Sequence, residues 1–262
     1  MTLPETSAVA PATSPSDVAT ARARRRSPGP LFFVALALAV VLTSTLAIVA
    51  VENRLHQSAP GLLRVSGLPS SVPTSRAQLM GLSPVPPRAA PGFTLTDQNA
   101  HTLSFSSFRG RVVVLEFMDP HCVDICPLVS REFVDAYHDL GKSADKVIFM
   151  AVNVNRYFAG VASMATFSRE HQLSTIPSWH FFTGPLAALS AVWRDYGITV
   201  EAPHPNGDII HTSLVYFIDP SGHERYIAVP QANYTKAHKA FLPGSSLASW
   251  GRGIAEVAKS LS

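Results

Sequence analysis

The chain has 262 residues and a formal net charge of +3 at pH 7. Much of this charge comes from four arginines within residues 22–26, and no basic stripe with interleaved aromatic residues follows them. We therefore exclude nucleic acid as a partner, because binding to a phosphate backbone requires an extended basic surface.

The first two segments predict a tail and a membrane anchor. Residues 1–30 are rich in alanine, proline, serine, threonine and arginine, which predicts a disordered tail. Residues 31–51 are apolar apart from three hydroxyl-bearing residues, and at about 1.5 Å per residue they can span a hydrocarbon core of about 30 Å. The preceding arginines predict a single-pass protein with a cytoplasmic N-terminus and an extracytoplasmic C-terminal domain. A long secretory signal cleaved near Ala50 is the alternative.

The rest of the chain predicts a stalk and one folded domain. Residues 52–91 contain seven prolines among serines and small residues, a composition that predicts a semi-extended stalk. Residues 92–262 contain no internal repeat, and they are numerous enough to bury one sizeable core. We therefore expect the chemistry of the protein to lie in residues 92–262.

Strand and helix patterns alternate within this domain. Alternating polar and apolar residues within 93–105 predict a hairpin. Further strands are predicted at 112–117, 147–154, 179–182, 214–218 and 224–229, and helices at 127–140, 160–171, 185–196 and 247–261. Because strands and helices alternate and the last two strands form a hairpin, we predict an α/β sandwich with a central mixed sheet.

The only two cysteines, Cys122 and Cys126, lie between a predicted strand and the helix that we expect to begin at Pro127. A disulfide between them would close a very short loop and restrict few unfolded conformations, so a chemical role is favoured over a structural one. The N-terminus of a helix stabilises thiolates. Two thiolates there can form a disulfide or bind a soft metal such as copper(I) or zinc. A tightly held metal would need a third ligand from elsewhere in the chain.

His211 is the favoured third ligand among the ten histidines. It precedes the predicted strand 214–218, and in thioredoxin-like folds the loop before that strand approaches the helix that carries the cysteines. Its imidazole would add one nitrogen to two sulfur donors. His121 is a competing ligand, disfavoured because its side chain should point away from that of the adjacent Cys122. A histidine that only forms a hydrogen bond at a strand edge is the remaining alternative.

Two acidic residues near the cysteines have roles that the sequence leaves open. Glu116 lies in the predicted strand 112–117, where thioredoxin-like reductases often place a buried acidic group that assists proton transfer. Burial would raise the pKa of such a group, but a paired carboxylate at a strand edge is the alternative. Asp124 lies between the cysteines and either complements the helix dipole or supports the ligands through hydrogen bonds.

Three stretches together resemble the SCO/SenC family of membrane-tethered, thioredoxin-like copper proteins. They are Cys-Val-Asp-Ile-Cys-Pro at 122–127, Trp-His-Phe-Phe-Thr-Gly at 179–184, and the segment 211–222, which begins with histidine and ends in Asp-Pro-Ser-Gly. The resemblance covers about residues 91–229. It implies a thioredoxin-like fold, copper bound by Cys122, Cys126 and His211, and a role in assembling the binuclear copper centre of cytochrome c oxidase, with oxidase subunit II as the client.

Two departures from the family pattern indicate a divergent subgroup. Val123 stands where the family usually has proline, and residues 153–158 stand where many members have Asp-Pro-x-Arg-Asp-Thr. Neither change removes an expected ligand.

Functions from different classes remain open at this point. The first is an extracytoplasmic copper chaperone. The second is a thiol–disulfide oxidoreductase with Cys122 and Cys126 as its redox couple. The three-residue spacing and the lack of a proline beside Thr212 favour the chaperone. A peroxidase is disfavoured because no Pro-x-x-x-Thr-x-x-Cys pattern is present, and an interaction domain with incidental cysteines is the least specific alternative.

Overall fold

The computed structural model describes residues 65–205 and 207–262. The predicted tail, the predicted anchor at 31–51 and the first part of the predicted stalk lie outside these residues. Across the described ranges, every helix is too short or too polar to cross a bilayer.

A six-stranded mixed sheet forms the centre of the domain. Its strands are β1 (Ser83–Ala89), β4 (Val112–Met118), β5 (Val147–Asn153), β6 (Trp179–Phe182), β9 (Val215–Ile218) and β10 (His223–Ala228). They lie in the order β1-β10-β9-β4-β5-β6. β4, β5 and β6 are parallel, whereas β9, β10 and β1 pair in antiparallel fashion. The predicted sandwich with a central mixed sheet is therefore confirmed.

Among the described residues, five α-helices and three short strand pairs surround this sheet. The helices are α1 (Thr74–Leu79), α2 (Ile125–Leu140), α3 (Val161–Glu170), α4 (Leu186–Asp195) and α5 (Gly244–Leu261). The short strands form three separate pairs: β2 (Thr94–Thr96) with β3 (Thr102–Ser104), β7 (Val200–Glu201) with β8 (Ile210–His211), and β11 (Asn233–Tyr234) with β12 (Ala240–Phe241). The pair β2 and β3 confirms the hairpin predicted within residues 93–105.

The two faces of the sheet bury separate hydrophobic cores. Every residue of β4 and of β5 is buried, as is typical of parallel strands covered on both faces. Alternate residues of β4 therefore point to opposite cores: Val114 packs with the core that contains Phe133 of α2, and Leu115 with the core that contains Trp193 of α4. This arrangement fixes the position of β4 and of the loop that leads from it to α2.

The predicted stalk extended too far along the chain. Residues 74–89, predicted as part of the stalk at 52–91, belong to the folded domain, since α1 packs against α5 and β1 pairs with β10. Three of the seven prolines that suggested a stalk lie in β1, an edge strand, where a residue without an N–H group is tolerated on the unpaired side. The register of β1 also shifts between Pro84 and Arg88, which accommodates the prolines between them.

Candidate metal and thiol site

The two cysteines lie where β4 passes into α2. The helix begins at Ile125 with Asp124 at its N-cap position, so Cys126 is the second helical residue and lies near the N-cap, as predicted. The predicted start at Pro127 was two residues late. The first four N–H groups of a helix have no partner within it, so a proline fits at any position of the first turn and does not mark the first residue.

The sulfur atoms of the two cysteines differ in exposure and in proton affinity. Cys126 is buried, whereas Cys122 is partly exposed. A hydrogen bond from the Cys126 thiol lowers the pKa of Cys122 to about 7, against the opposing effect of burial. The same bond and burial raise the pKa of Cys126. The backbone N–H of Cys126 also donates to Sγ of Cys122 over 3.4 Å. As the pH rises above about 7, the pair therefore holds one proton, on Cys126.

We expect Cys122 to react with iodoacetamide far faster than Cys126, with a rate that rises through a pKa of about 7, because the thiolate is the nucleophile. Mass spectrometry of the two peptides after timed alkylation between pH 5 and 9 measures both rates. Cys126→Ala should raise the pKa of Cys122, since the thiol donor is lost. Equal rates at the two sulfurs, or an unchanged pKa in Cys126→Ala, would contradict this arrangement.

Cys122 is the sulfur that a partner molecule can reach. An open cleft of about 700 Å³ lies beside it, between the start of α2 and the helix α3, and Val123, Thr166 and His171 contribute to its wall. The side chain of Val123 is 83% exposed. Chemistry with a second molecule therefore begins at Cys122, while Cys126 is reached only through it.

Asp119 is a site residue that the sequence analysis did not identify. It lies one residue beyond β4, is only 7% exposed, and its Oδ1 accepts bonds from the backbone of His121 at 2.8 Å and from the side chain of Asn155 at 2.9 Å. Its negative charge partly opposes the effects that lower the pKa of Cys122 and of His211. The parallel pairing of β4 with β5 places residues that follow both strands at one edge, which is the signal that would have found Asp119 and Asn155.

His211 has the tautomer that a metal ligand needs. Its Nδ1 lies 3.0 Å from the carbonyl oxygen of Thr212. A carbonyl oxygen only accepts hydrogen bonds, so Nδ1 carries the proton and Nε2 keeps its lone pair. Burial lowers the pKa of His211, although the Thr212 carbonyl and Asp119 oppose this effect. The imidazole is therefore neutral at pH 7 with Nε2 available, and two sulfurs with one such nitrogen suit a soft metal ion.

The structure brings together two of the three predicted ligands. Cys122 and Cys126 are in contact, and both Cys122 and His211 interact with Asp119. Within residues 65–205 and 207–262, no group of three or more His, Cys, Asp or Glu side chains is arranged to hold a metal ion. His211 as the third ligand therefore stays a prediction. The competing His121 stacks on Phe158, with 3.7 Å between ring centroids.

Glu116 is buried in the middle of β4, as the sequence suggested. It is 1% exposed, and burial raises its pKa to about 8 although Ser213 donates a 2.7 Å hydrogen bond to Oε1. Its Oε2 has no hydrogen-bonding partner in the described part of the chain. The carboxyl group is therefore protonated at neutral pH, and Ser213 ties the loop that follows His211 to the strand that leads to the cysteines. A role in proton transfer stays a prediction.

The fold and the paired thiols define a thioredoxin-like protein with two contacting cysteines at the start of a helix. The family model described as SCO1/SenC matches residues 84–240, which is more than half of the chain. The protein therefore belongs to the SCO1/SenC family, as the resemblance implied.

Similar proteins support this assignment. An SCO1 protein homolog of Bacillus subtilis (strain 168) is 24% identical over 132 residues, which cover 50% of this chain and 68% of the relative. A mitochondrial SCO2 homolog of Mus musculus is 26% identical over 138 residues, which cover 50% of this chain and 52% of the relative. This chain thus spans only about half the length of the mitochondrial relative.

Two solved structures share the fold. Bradyrhizobium japonicum ScoI with copper bound has a TM-score of 0.50 and 23% identity, over 66% of this chain and 99% of that chain. Arabidopsis thaliana ScoI with copper bound has a TM-score of 0.51 and 18% identity, over the same shares. These likenesses confirm the predicted thioredoxin-like architecture.

Proposed function

We propose that this protein is a copper chaperone that binds copper(I) and passes it to a cuproprotein client. The observation that carries the proposal is the contact between a reachable Cys122 thiolate and a buried Cys126 thiol at the start of α2. Membership of the SCO1/SenC family and the copper carried by the structural neighbours support copper as the cargo. Cysteine sulfur is a preferred ligand of copper(I).

Each ligand residue has a distinct part in this proposal. Cys122 meets the incoming ion first, because it is the reachable sulfur and already a thiolate near pH 7. Cys126 must lose its proton before it binds, so copper uptake releases about one proton near neutral pH. His211 contributes Nε2, and the loop that contains it moves toward the sulfurs as the three ligands assemble.

The family supports a proposal for the client, and the N-terminal sequence supports one for the location. We propose a copper centre such as that of cytochrome c oxidase subunit II as the destination, because the chain shares the motifs and the family of SCO proteins. The apolar segment 31–51 and the arginines before it support a single-pass anchor with the copper-binding domain outside the cytoplasm. This segment lies outside the residues that the structure describes.

A thiol–disulfide oxidoreductase is the second candidate, and one observation favours it. Disulfide exchange needs a reachable thiolate and a second thiol that resolves the mixed disulfide. Cys122, with a pKa of about 7, and the buried Cys126 supply this asymmetry. Such an enzyme could prepare the cysteines of a client for copper without binding the metal itself.

We expect the reduced full chain to bind one copper(I) ion and the disulfide form to bind none, because both sulfurs are ligands. Anaerobic titration against a chromophoric copper(I) chelator measures both forms, and Cys122→Ala with Cys126→Ala is the control that should abolish binding. Equal binding by the disulfide form would refute a dithiolate site. A reduced chain that binds no copper but rapidly reduces a disulfide peptide would establish the oxidoreductase instead.

A further inference from the structure

A second cavity, of about 490 Å³, lies at the opposite end of the sheet from the cysteines. Its wall includes Arg111, which directly precedes β4, and Ser178, which directly precedes β6. Both residues therefore lie at the amino ends of parallel strands, whereas Cys122 follows the carboxyl end of β4. The cavity is separate from the thiol site.

The wall of this cavity has an excess of positive charge. It contains the cations Arg111 and Lys142 and a single carboxylate, Asp145. The guanidinium carbon of Arg111 lies 6.0 Å from the centroid of the Phe108 ring. Neither cation is paired with a carboxylate among the described residues, in contrast to Arg76, Arg88, Arg131, Arg194 and Arg225. With Asp145 in the same wall, the two cations leave a net charge of +1, which attracts an anion to the cavity.

A hydroxyl and an imidazole complete the polar wall. Oγ of Ser178 is buried and has no hydrogen-bonding partner in the part of the chain that the structure describes, although buried hydroxyls normally have one. Nδ1 of His180 lies 3.1 Å from Oδ2 of Asp97, which is fully buried and accepts two backbone N–H bonds, from Asn99 and His101. Asp97 thus acts as an acceptor, so Nδ1 of His180 carries the proton and Nε2 is left as an acceptor.

We propose that this cavity is a binding site for a phosphate group. Arg111 and Lys142 supply positive charge and N–H donors, and Arg is well suited to phosphate because two of its N–H groups can bind two oxygens. Ser178 supplies a third donor once its hydroxyl, which is buried in this structure, turns toward the cavity. His180 supplies an acceptor, which matches the P–OH group that phosphate retains near neutral pH. Sulfate has no such proton, so the site should discriminate between two anions of similar size.

Free phosphate keeps a P–OH group at pH 7, whereas a phosphate monoester, with a second pKa of about 6, has largely lost it. Isothermal titration of the full chain with inorganic phosphate, glycerol phosphate and sulfate at pH 7 tests the proposal and separates the two sources. We expect saturable phosphate binding, with sulfate at least about tenfold weaker because Nε2 of His180 would face a second acceptor. Glycerol phosphate should also bind more weakly than inorganic phosphate, which would identify free phosphate as the ligand, whereas equal binding would overturn the role of His180 as an acceptor for P–OH.

Variants locate the site. Arg111→Met should weaken phosphate binding by about tenfold or more, as expected for loss of a charged hydrogen bond. Lys142→Gln should also weaken phosphate binding. Because the side chain of Lys142 is exposed, this change should not affect folding. Arg169→Met removes the same charge from an exposed arginine on α3 and should leave affinity unchanged. The proposal is overturned if phosphate does not bind saturably, if sulfate binds as tightly, or if Arg169→Met weakens binding as much as Arg111→Met.

Discussion

Replacing Glu116 by glutamine should raise the free energy of unfolding at pH 7 by about 3 kcal/mol and leave it almost unchanged at pH 4. The carboxyl group of Glu116 is 1% exposed, and burial raises its pKa from 4.5 to about 8. Glutamine keeps an oxygen that accepts the bond from Ser213, but it never ionises.

The direction of the effect follows from proton binding. Because the pKa of Glu116 is raised in the folded state, the folded protein holds this proton between pH 4.5 and 8 whereas the unfolded chain releases it. The contribution of Glu116 to stability is therefore fully present below pH 4.5 and is lost as the pH rises through about 8. Glu132 is also 1% exposed, and burial and the nearby Glu116 raise its pKa. Because Glu132 remains in Glu116→Gln, this variant should keep part of the dependence of its unfolding free energy on pH.

Urea unfolding of the full chain at intervals between pH 4 and pH 8 measures this difference. Glu201→Gln is the matched control, because that glutamate is exposed and its charge remains in water. Wild type and Glu116→Gln with the same dependence of stability on pH would show that Glu116 is ionised in the folded protein.

Replacing His211 by alanine should weaken copper(I) binding by about a hundredfold or more. Loss of a residue that only supports a ligand typically weakens metal affinity by about ten- to a hundredfold, so loss of a ligand should cost at least as much. The neutral imidazole with Nε2 unprotonated is the form that binds a metal. Competition with a copper(I) chelator, for the reduced full chain, measures the affinity.

His121→Ala is the matched control for this prediction. His121 is adjacent to Cys122, but its ring stacks on Phe158. We expect its loss to change the copper affinity by no more than a few-fold, about the range of a change that leaves every ligand in place. If His121→Ala loses more copper(I) affinity than His211→Ala, His121 and not His211 would be the ligand.

The sequence predicted the elements whose hydrophobic pattern is unambiguous. The runs of β-branched and aromatic residues in β4 and β5 are buried on both faces, and such runs are typical of central parallel strands. The prolines of β1 misled the prediction, because a proline-rich edge strand and an extended stalk have the same composition. Only the pairing of β1 with β10 separates the two.

Within the site, the sequence identified the groups by chemical type but not their contacts. The cysteines and Glu116 were found because a CxxxC pair and an acidic residue in an apolar strand are unusual in themselves. Asp119 was missed because its bond to Asn155 joins two loops 36 residues apart. The position of the proton on His211 depends on its hydrogen bond to the Thr212 carbonyl. That bond depends on the local backbone conformation, which the sequence did not predict.

X-ray absorption spectroscopy of the copper-loaded, reduced full chain tests the three-ligand site most directly, with His211→Ala measured beside it. We predict two sulfur ligands and one nitrogen ligand in the wild type, and loss of the nitrogen with both sulfurs retained in His211→Ala. A wild-type spectrum without nitrogen, or a variant spectrum identical to the wild type, would contradict the assignment of Cys122, Cys126 and His211 as the copper site.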